Sequence, residues 1–438
     1  MRFLLILLLA VLPASAFSQY AVLVAPKDSE AYEFAKTKEN GETVFAERKL
    51  FKGLNQAAEL LNAGGERTVT VFVAAGTYTG QFGAGVWKVP HIDNPQGTLR
   101  VMAGFNDDFS GRQPFGLITE LQTVEGRDGA IFQLAKRSRL KEVVVSGLLL
   151  DAGPSNAYDA RTNSIKKGQS RSYPLLSLSM LETDRLVVAD NIFLNGAHGA
   201  FDPYVKGASA SANVLVQNNL FLNTIKAFKN QPATTKALDR LTLKHNSFVL
   251  CWPFNPDPTS SNVGAIELYH SGGFENVDIE GNLFAYNPGG AMQHDWAPDR
   301  MPNTRIAGNL FYSNAALYED GETEAGVIVG KFGTNPIYRL LDLESVEDDL
   351  DYDVEDNVSF DPQIPIVIAP LQAADSYGVS AQNTTINQVR SLFGLNTDGG
   401  TVAIANFAPR LSYRTDAVPF PMNEAAKAYG VQPGALWQ

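Results

Sequence analysis

The segments VVADNIFLN, VQNNLFLNT, LKHNSFVLC, IEGNLFAYN and IAGNLFYSN share one pattern: apolar residues at alternate positions, then Asn, then Phe two places on. Aligned on the Asn, the copies centre on Asn191, Asn219, Asn246, Asn282 and Asn309, with a sixth at Asn357. Five and three residues earlier stand Leu186/Val188, Val214/Val216, Leu241/Leu243, Val277/Ile279, Thr304/Ile306 and Tyr352/Val354. The Phe column runs Phe193, Phe221, Phe248, Phe284 and Phe311, and slips by one to Phe360 in the sixth copy. Alternation with period 2 predicts a strand with one buried face before each Asn. The Asn marks a sharp bend, since Asn tolerates left-handed backbone angles and its amide bonds nearby main chain. Phe then begins the next buried strand. The intervals are 28, 27, 36, 27 and 48 residues, and the period of alternation rules out helical repeats. Units of this length with several short strands point to a parallel β-helix. Its coils stack at ~4.8 Å, so Asn would lie on Asn and Phe on Phe.

The motif VTVFVAAGTYTG (Val69–Gly80) resembles the opening coil of the right-handed parallel β-helix proteins of the pectin-lyase-like superfamily. FKGLNQAAELLNAG, just before it, resembles that superfamily's N-terminal capping helix, and LRVMAGFNDDF and VVVSGLLLDAG resemble its early coils. A cap also follows from the residues themselves: Leu50, Leu54, Ala57, Ala58 and Leu61 form one apolar face at helical spacing, able to cover the open end of a core. The expected fold is therefore all-β, a right-handed parallel β-helix with an N-terminal capping helix. Its parts are residues 19–67 for the N-terminal segment and cap, 68–361 for the β-helix, and 362–438 for a C-terminal cap packed on the solenoid.

Residues 1–18, MRFLLILLLAVLPASAFS, combine one Arg, an apolar run and small residues at Ala14, Ala16 and Ser18, the signature of a secretory signal. The run is short for a membrane span and no later stretch reaches ~20 apolar residues, so an exported soluble monomer, periplasmic or extracellular, is expected. Cys251 is the only cysteine, so core burial rather than an intrachain disulfide must hold the fold; the thiol itself is read as buried and inert. The net charge of −12 argues against nucleic-acid binding, which needs a Lys/Arg excess. Between Arg161 and Lys244, however, eleven positive residues face five negative ones, a local excess suited to another polyanion. The acidic run from Asp342 to Asp356 reads as a solvated loop, with a calcium site in DYDVED as the alternative.

After each Phe a further strand begins at Ala200, Ala227, Ala265 and Ala291. With Phe201, Phe228, Ile266 and Met292 inward, alternation turns Asp202, Lys229, Glu267 and Gln293 outward in one column, and Tyr204, Gln231, Tyr269 and Asp295 in a second. Tyr rings beside carboxylates, amides and Lys suit sugar recognition, and the resemblance implies that this strand face is the substrate groove. The expected partner is an acidic polysaccharide. β-Elimination of uronates needs a base, a neutralising cation and an acid. Lys229 or His270 is the candidate base, Arg300 or Lys229 the candidate for charge neutralisation, and Asp202 with Glu267 the candidate calcium ligands. The alginate lyase and chondroitinase B family, which shares the resembled fold, carries an acidic pair on one coil, a Lys soon after and an Arg on a neighbouring coil. Glu267 has no acidic residue two places away and no Lys following it, a departure from that pattern. The polygalacturonase motif order is absent too: AHG at Ala197–Gly199 and TRI at Thr304–Ile306 precede NTD at Asn396–Asp398. A lyase is the leading expectation and a non-catalytic carbohydrate-binding or adhesion module the alternative. His245 reads as a bend residue, His294 as a core residue, and His198 lies near the stripe; HExxH, GxSxG and phosphate-loop motifs are missing.

Overall fold

The computed structural model describes residues 18–79, 86–122, 130–153, 158–159, 164–165, 174–178, 180–196, 199–202, 205–206, 212–230, 238–252, 264–269, 274–287, 290–295, 303–312, 314 and 352–360. Among these residues there are two helices, α1 (Glu30–Lys38) and α2 (Leu50–Asn62), and three long parallel sheets. Sheet I has 12 strands, sheet II 8 and sheet III 7. From Arg139 onward the chain visits them in rotation. Leu181–Ala189 lies in sheet I, Ile192–Leu194 in II and Phe201–Asp202 in III; Asn213–Gln217, Leu220–Ile225 and Phe228–Asn230 repeat the circuit. The next two circuits end at Ile266–Tyr269 and Met292–Asp295 in sheet III.

Inward side chains of all three sheets meet in one core, which joins Val145 and Val188 of sheet I, Phe221 and Phe248 of II, and Phe132 and Phe228 of III. The Phe column forms as its spacing requires. Phe193, Phe221, Phe248, Phe284 and Phe311 pack in sequence at centroid separations of 4.7, 4.9, 4.8 and 5.1 Å, with ring planes within 10°. In the sixth copy Val358, not Phe360, bridges Leu310, so the Phe column ends one circuit earlier than the Asn column.

Asn191, Asn219, Asn246, Asn282, Asn309 and Asn357 form a continuous amide ladder. Each Nδ2 donates to the Oδ1 of the next at 2.9–3.0 Å and to a backbone carbonyl of the preceding circuit. The bend itself is made by a different residue from the one expected. The left-handed angles belong to the position before the ladder Asn: Asp190, Asn218, His245, Gly281, Gly308 and Asp356, with φ between 52° and 61°. The ladder Asn is fixed by its amide bonds, while Asp, Asn and Gly before it supply the tolerance of positive φ. His245 is a bend residue, as read.

Sheet II differs from a strand with one wet face. Leu149, Ile192, Leu194, Leu220, Leu222, Val249, Leu283, Ala285 and Leu310 alternate with its core residues, lie outside the common core cluster, and are all at most 5% exposed. Runs such as NLFLN therefore reflect burial on both faces.

α2 caps the end of the core, with Leu50, Leu54, Ala57, Ala58 and Leu61 buried in it. A side chain at Gly53 would come within 2.5 Å of Val24 Cγ2, so the close approach of helix to sheet requires glycine there. The strand carrying Val24, Ser18–Val24, was not expected. It pairs with Arg67–Ala74 on one side and Val44–Glu47 on the other, extending sheet I before the cap. At the far end Asp353–Glu355 is a strand of sheet I beside Arg305, so the close of the acidic run is sheet rather than loop. Apart from Ser18, the signal segment lies outside the described residues, as does 362–438. No helix among the described residues is long and apolar enough to cross a membrane.

Candidate functional site

Sheet III carries the candidate site. Its core column runs through Trp87, Phe132, Leu176, Phe201, Phe228, Ile266 and Met292 in direct register. One residue on, Ser177 pairs with Asp202, and Lys229 with Glu267, which pairs in turn with Gln293. Tyr269 pairs with Asp295, and His294 shares the register position of core residue Leu268. The backbone thus brings Lys229, Glu267 and Gln293 side by side on consecutive strands, with Tyr269 and Asp295 two residues away. The side chains of Asp202, Lys229, Tyr269, Gln293 and Asp295 lie outside the described residues, as do Tyr204, Gln231, His198, His270 and Arg300 altogether.

Glu267 is described fully, and it is not on an open stripe. Ile266 and Leu268 both enter the common core, which turns Glu267 to the other face, yet Glu267 is only 1% exposed. Its partner is Lys226, whose Nζ lies 2.9 Å from Oε2. Both carboxylate oxygens are buried without a hydrogen-bond donor among the described residues, so the lysine contact is one of charge at close range rather than an aligned hydrogen bond. An ammonium at that distance already neutralises the carboxylate. A calcium ion at Glu267 would meet a like charge, so this residue does not suit a calcium ligand while Lys226 is in place. Groups of three or more His, Cys, Asp or Glu able to hold a metal are absent among the described residues.

Lys226 was missed from sequence, although a signal was present. The residue before the Ala that opens each sheet III strand is Gly199, Lys226, Gly264 or Gly290. Lys226 breaks a glycine column and adopts φ +51°.

The basic stretch from Arg161 to Lys244 is not a basic patch in space where it is described. Arg185 contacts Glu142, Lys226 contacts Glu267, Arg240 contacts Asp278, and Lys244 contacts Glu280. All four carboxylates lie outside that stretch of sequence and reach it from neighbouring circuits. Stacking brings together residues ~30 positions apart, so a window of sequence does not correspond to a patch of surface.

A second buried charge cluster braces the bend between sheets I and II. Arg112 Nη1 lies 3.0 Å from Asp190 Oδ2, Asn218 Nδ2 donates to Asp190 Oδ1 at 2.8 Å, and Ser146 Oγ accepts from Arg112 Nη2 at 2.6 Å. Burial pushes the Asp190 carboxyl above its ordinary range despite the opposing pull of Arg112 and the hydrogen bonds. Cys251 is buried and its thiol is pushed up to about 12 by burial, which makes it the inert thiol expected. His91 is exposed, and its carbonyl accepts from Asn62 Nδ2 at the end of α2.

Comparison with protein-family models, curated proteins and solved structures finds no match to this chain. The functional reading therefore rests on the chain's own geometry.

Proposed function

We propose that this chain is an exported right-handed parallel β-helix, similar in build to the pectin-lyase-like proteins, that binds an acidic extracellular polysaccharide along sheet III and cleaves it by β-elimination. The rotation of the chain through three parallel sheets around one core supports the solenoid, and parallel crossovers are overwhelmingly right-handed. One observation carries the binding reading: the register that aligns Lys229, Glu267 and Gln293, with Tyr269 and Asp295 beside them. A ladder of this kind repeats polar and aromatic positions at ~4.8 Å along a wall, matching a ligand that is itself a chain.

In the elimination, Lys229 or His270 removes the proton beside the uronate carboxylate while Arg300 or Lys229 offsets the charge that develops; the freed electron pair forms the new C=C bond as the bond to the glycosidic oxygen breaks, and that oxygen leaves with a proton from the protonated base or from water. A second reading, a non-catalytic binding module, is favoured by the Lys226–Glu267 pair, which ties the best-described carboxylate of the wall to an ammonium. Polygalacturonate, alginate and chondroitin sulfate, offered to the full chain, separate the two. Binding with a new ultraviolet absorbance that disappears in Lys229→Ala and His270→Ala is expected for the lyase, and binding with no new double bond supports the module. If none of the three is bound, both readings fail.

We also propose that residues 362–438 pack along the outer face of sheet II. Nine apolar side chains are buried there without belonging to the common core, and Val358 leaves the described chain bridged to Leu310 of that sheet. The 78 residues after Phe360 can more than span eight strands at ~4.8 Å each.

A further inference from the structure

Sheet I runs on past the cap to Val44–Glu47, which ends its strand order and, among the described residues, pairs only with Ser18–Val24. The main chain of this last strand divides by alternation. Ala21 N donates to Thr43 O and Ala25 N to Glu47 O, so Thr43, Phe45 and Glu47 direct their backbone groups at Ser18–Val24, while Val44 and Ala46 turn N–H and C=O outward. An end strand of this kind is a ready template for a further strand. Here the template is already occupied. Asn40 Oδ1 accepts from Val44 N at 2.9 Å, and from Glu42 N and Thr43 N at the same distance. Val44 O accepts from the amides of Asn40 and Gly41 at 3.1 and 3.3 Å, and Ala46 N donates to Glu39 Oε1 at 3.4 Å. Glu39 and Asn40 are exposed, where water would satisfy the same groups at little cost, so folding alone does not call for these bonds.

We infer that Glu39 and Asn40 guard this edge, and that the partner they exclude is a second copy of this chain adding its own Val44–Glu47 strand. Two copies related by a two-fold axis would pair those identical strands antiparallel, in an isologous contact that closes on itself. Such pairing needs the outward N–H and C=O groups of Val44 and Ala46. Val44 N, Val44 O and Ala46 N are already held by the residues that lead out of α1. Bonded in this way, the turn itself stands where the strand of a second copy would run. The inference is independent of the polysaccharide reading, and it gives the expected monomer a cause in named residues.

The test is sedimentation velocity of the full-length protein across a wide range of concentration. Wild type is expected to sediment as a monomer throughout. Glu39→Ala combined with Asn40→Ala removes both side-chain acceptors and is expected to self-associate at least about tenfold more tightly than wild type, with a dimer appearing at the upper concentrations. Adding Ala46→Pro to this double variant takes away an outward N–H that the pairing with Ser18–Val24 does not use, and proline is tolerated at such a position of an edge strand. The monomer should then return. A double variant that associates no more than wild type overturns the guard. So does association that survives Ala46→Pro, or a wild type that dimerises until Ala46→Pro is introduced. Should the double variant lose the circular dichroism of wild type, Glu39→Ala alone, which removes only the exposed acceptor of Ala46 N, is judged by the same outcomes.

Discussion

Asn219 and Asn246, 27 residues apart in sequence, are joined twice through one oxygen: the backbone N and the Nδ2 of Asn219 both donate to Asn246 Oδ1 at 3.0 Å. Asn246 Nδ2 passes the chain of bonds on, to Val216 O and to Asn282 Oδ1. All of these groups are buried, so truncation strands donors and acceptors on both neighbours. Asn246→Ala is expected to cost about 2–5 kcal/mol, at about 1–3 kcal/mol for each buried group left unsatisfied. Asn357, the last rung among the described residues, is half-exposed and receives Asn309 in the same way. Water can replace its amide, so Asn357→Ala should cost about 1 kcal/mol or less. Urea unfolding of the two variants measures the contrast, and equal losses would contradict the ladder as the source of stability.

Gly53 faces Val24 across the cap, and the 2.5 Å approach that an added Cβ would make leaves no room for alanine. In an exposed helix Gly→Ala gains up to about 1 kcal/mol; here Gly53→Ala should instead lose about 1–3 kcal/mol through overpacking. Val24→Ala removes the obstructing methyl. In that background Gly53→Ala should turn neutral or favourable, and a double-mutant cycle on thermal midpoints reads the coupling directly.

Much of this architecture is legible in the sequence because stacked circuits repeat their inward residues. Phe221, Phe248 and Phe284 announce a column, and Leu50, Leu54 and Leu61 announce a cap. Two things resist reading. Ser18–Val24 belongs to no repeat, and its place between Val44–Glu47 and Arg67–Ala74 depends on pairing across distant sequence. The pair Lys226–Glu267 joins adjacent circuits through a corner, so no periodicity in either segment connects them; only the break in the glycine column marked Lys226. Register placed Lys229 beside Glu267 as expected. Alternation gave the direction of Glu267 correctly, but it carries no information about what lies over an outward side chain, and so its burial was not foreseen.

Leu220 lies on the outer face of sheet II, fully buried and outside the common core. A charge there cannot be neutralised by neighbours Ile192, Leu222 or Ser247 and must be desolvated or expel whatever covers it. If residues 362–438 are the cover, Leu220→Arg should make that segment at least about tenfold more sensitive to protease, equivalent to about 1.4 kcal/mol or more of lost docking, while sheets I and III keep their amide protection. Cleavage mapped by mass spectrometry checks it. Unchanged cleavage of 362–438, or new cleavage confined to 315–351, would assign the face to another segment.

His245 supplies the pH dependence of the bend between sheets I and II. It takes the left-handed position with φ 52°, and its ring lies where a side chain at Gly281 would stand, 2.6 Å from the site of that missing Cβ. Burial, reinforced by Lys244 and opposed by Glu280, lowers the imidazole below its ordinary pKa. A histidine depressed in the folded state gives its stability in full above the unfolded value of about 6.5 and loses it as pH falls from there through the lower folded value, because the unfolded chain takes the proton first. Asn at this position keeps the left-handed preference, as Asn218 does one circuit earlier, and cannot titrate. Denaturant midpoints measured from pH 8 down to pH 4.5 for wild type and His245→Asn should therefore run parallel above about pH 7 and diverge below about pH 6.5, with wild type falling further. Curves that stay parallel throughout would show that the proton is taken equally by the folded and unfolded chains, and that the ring is not held in the buried position against Gly281.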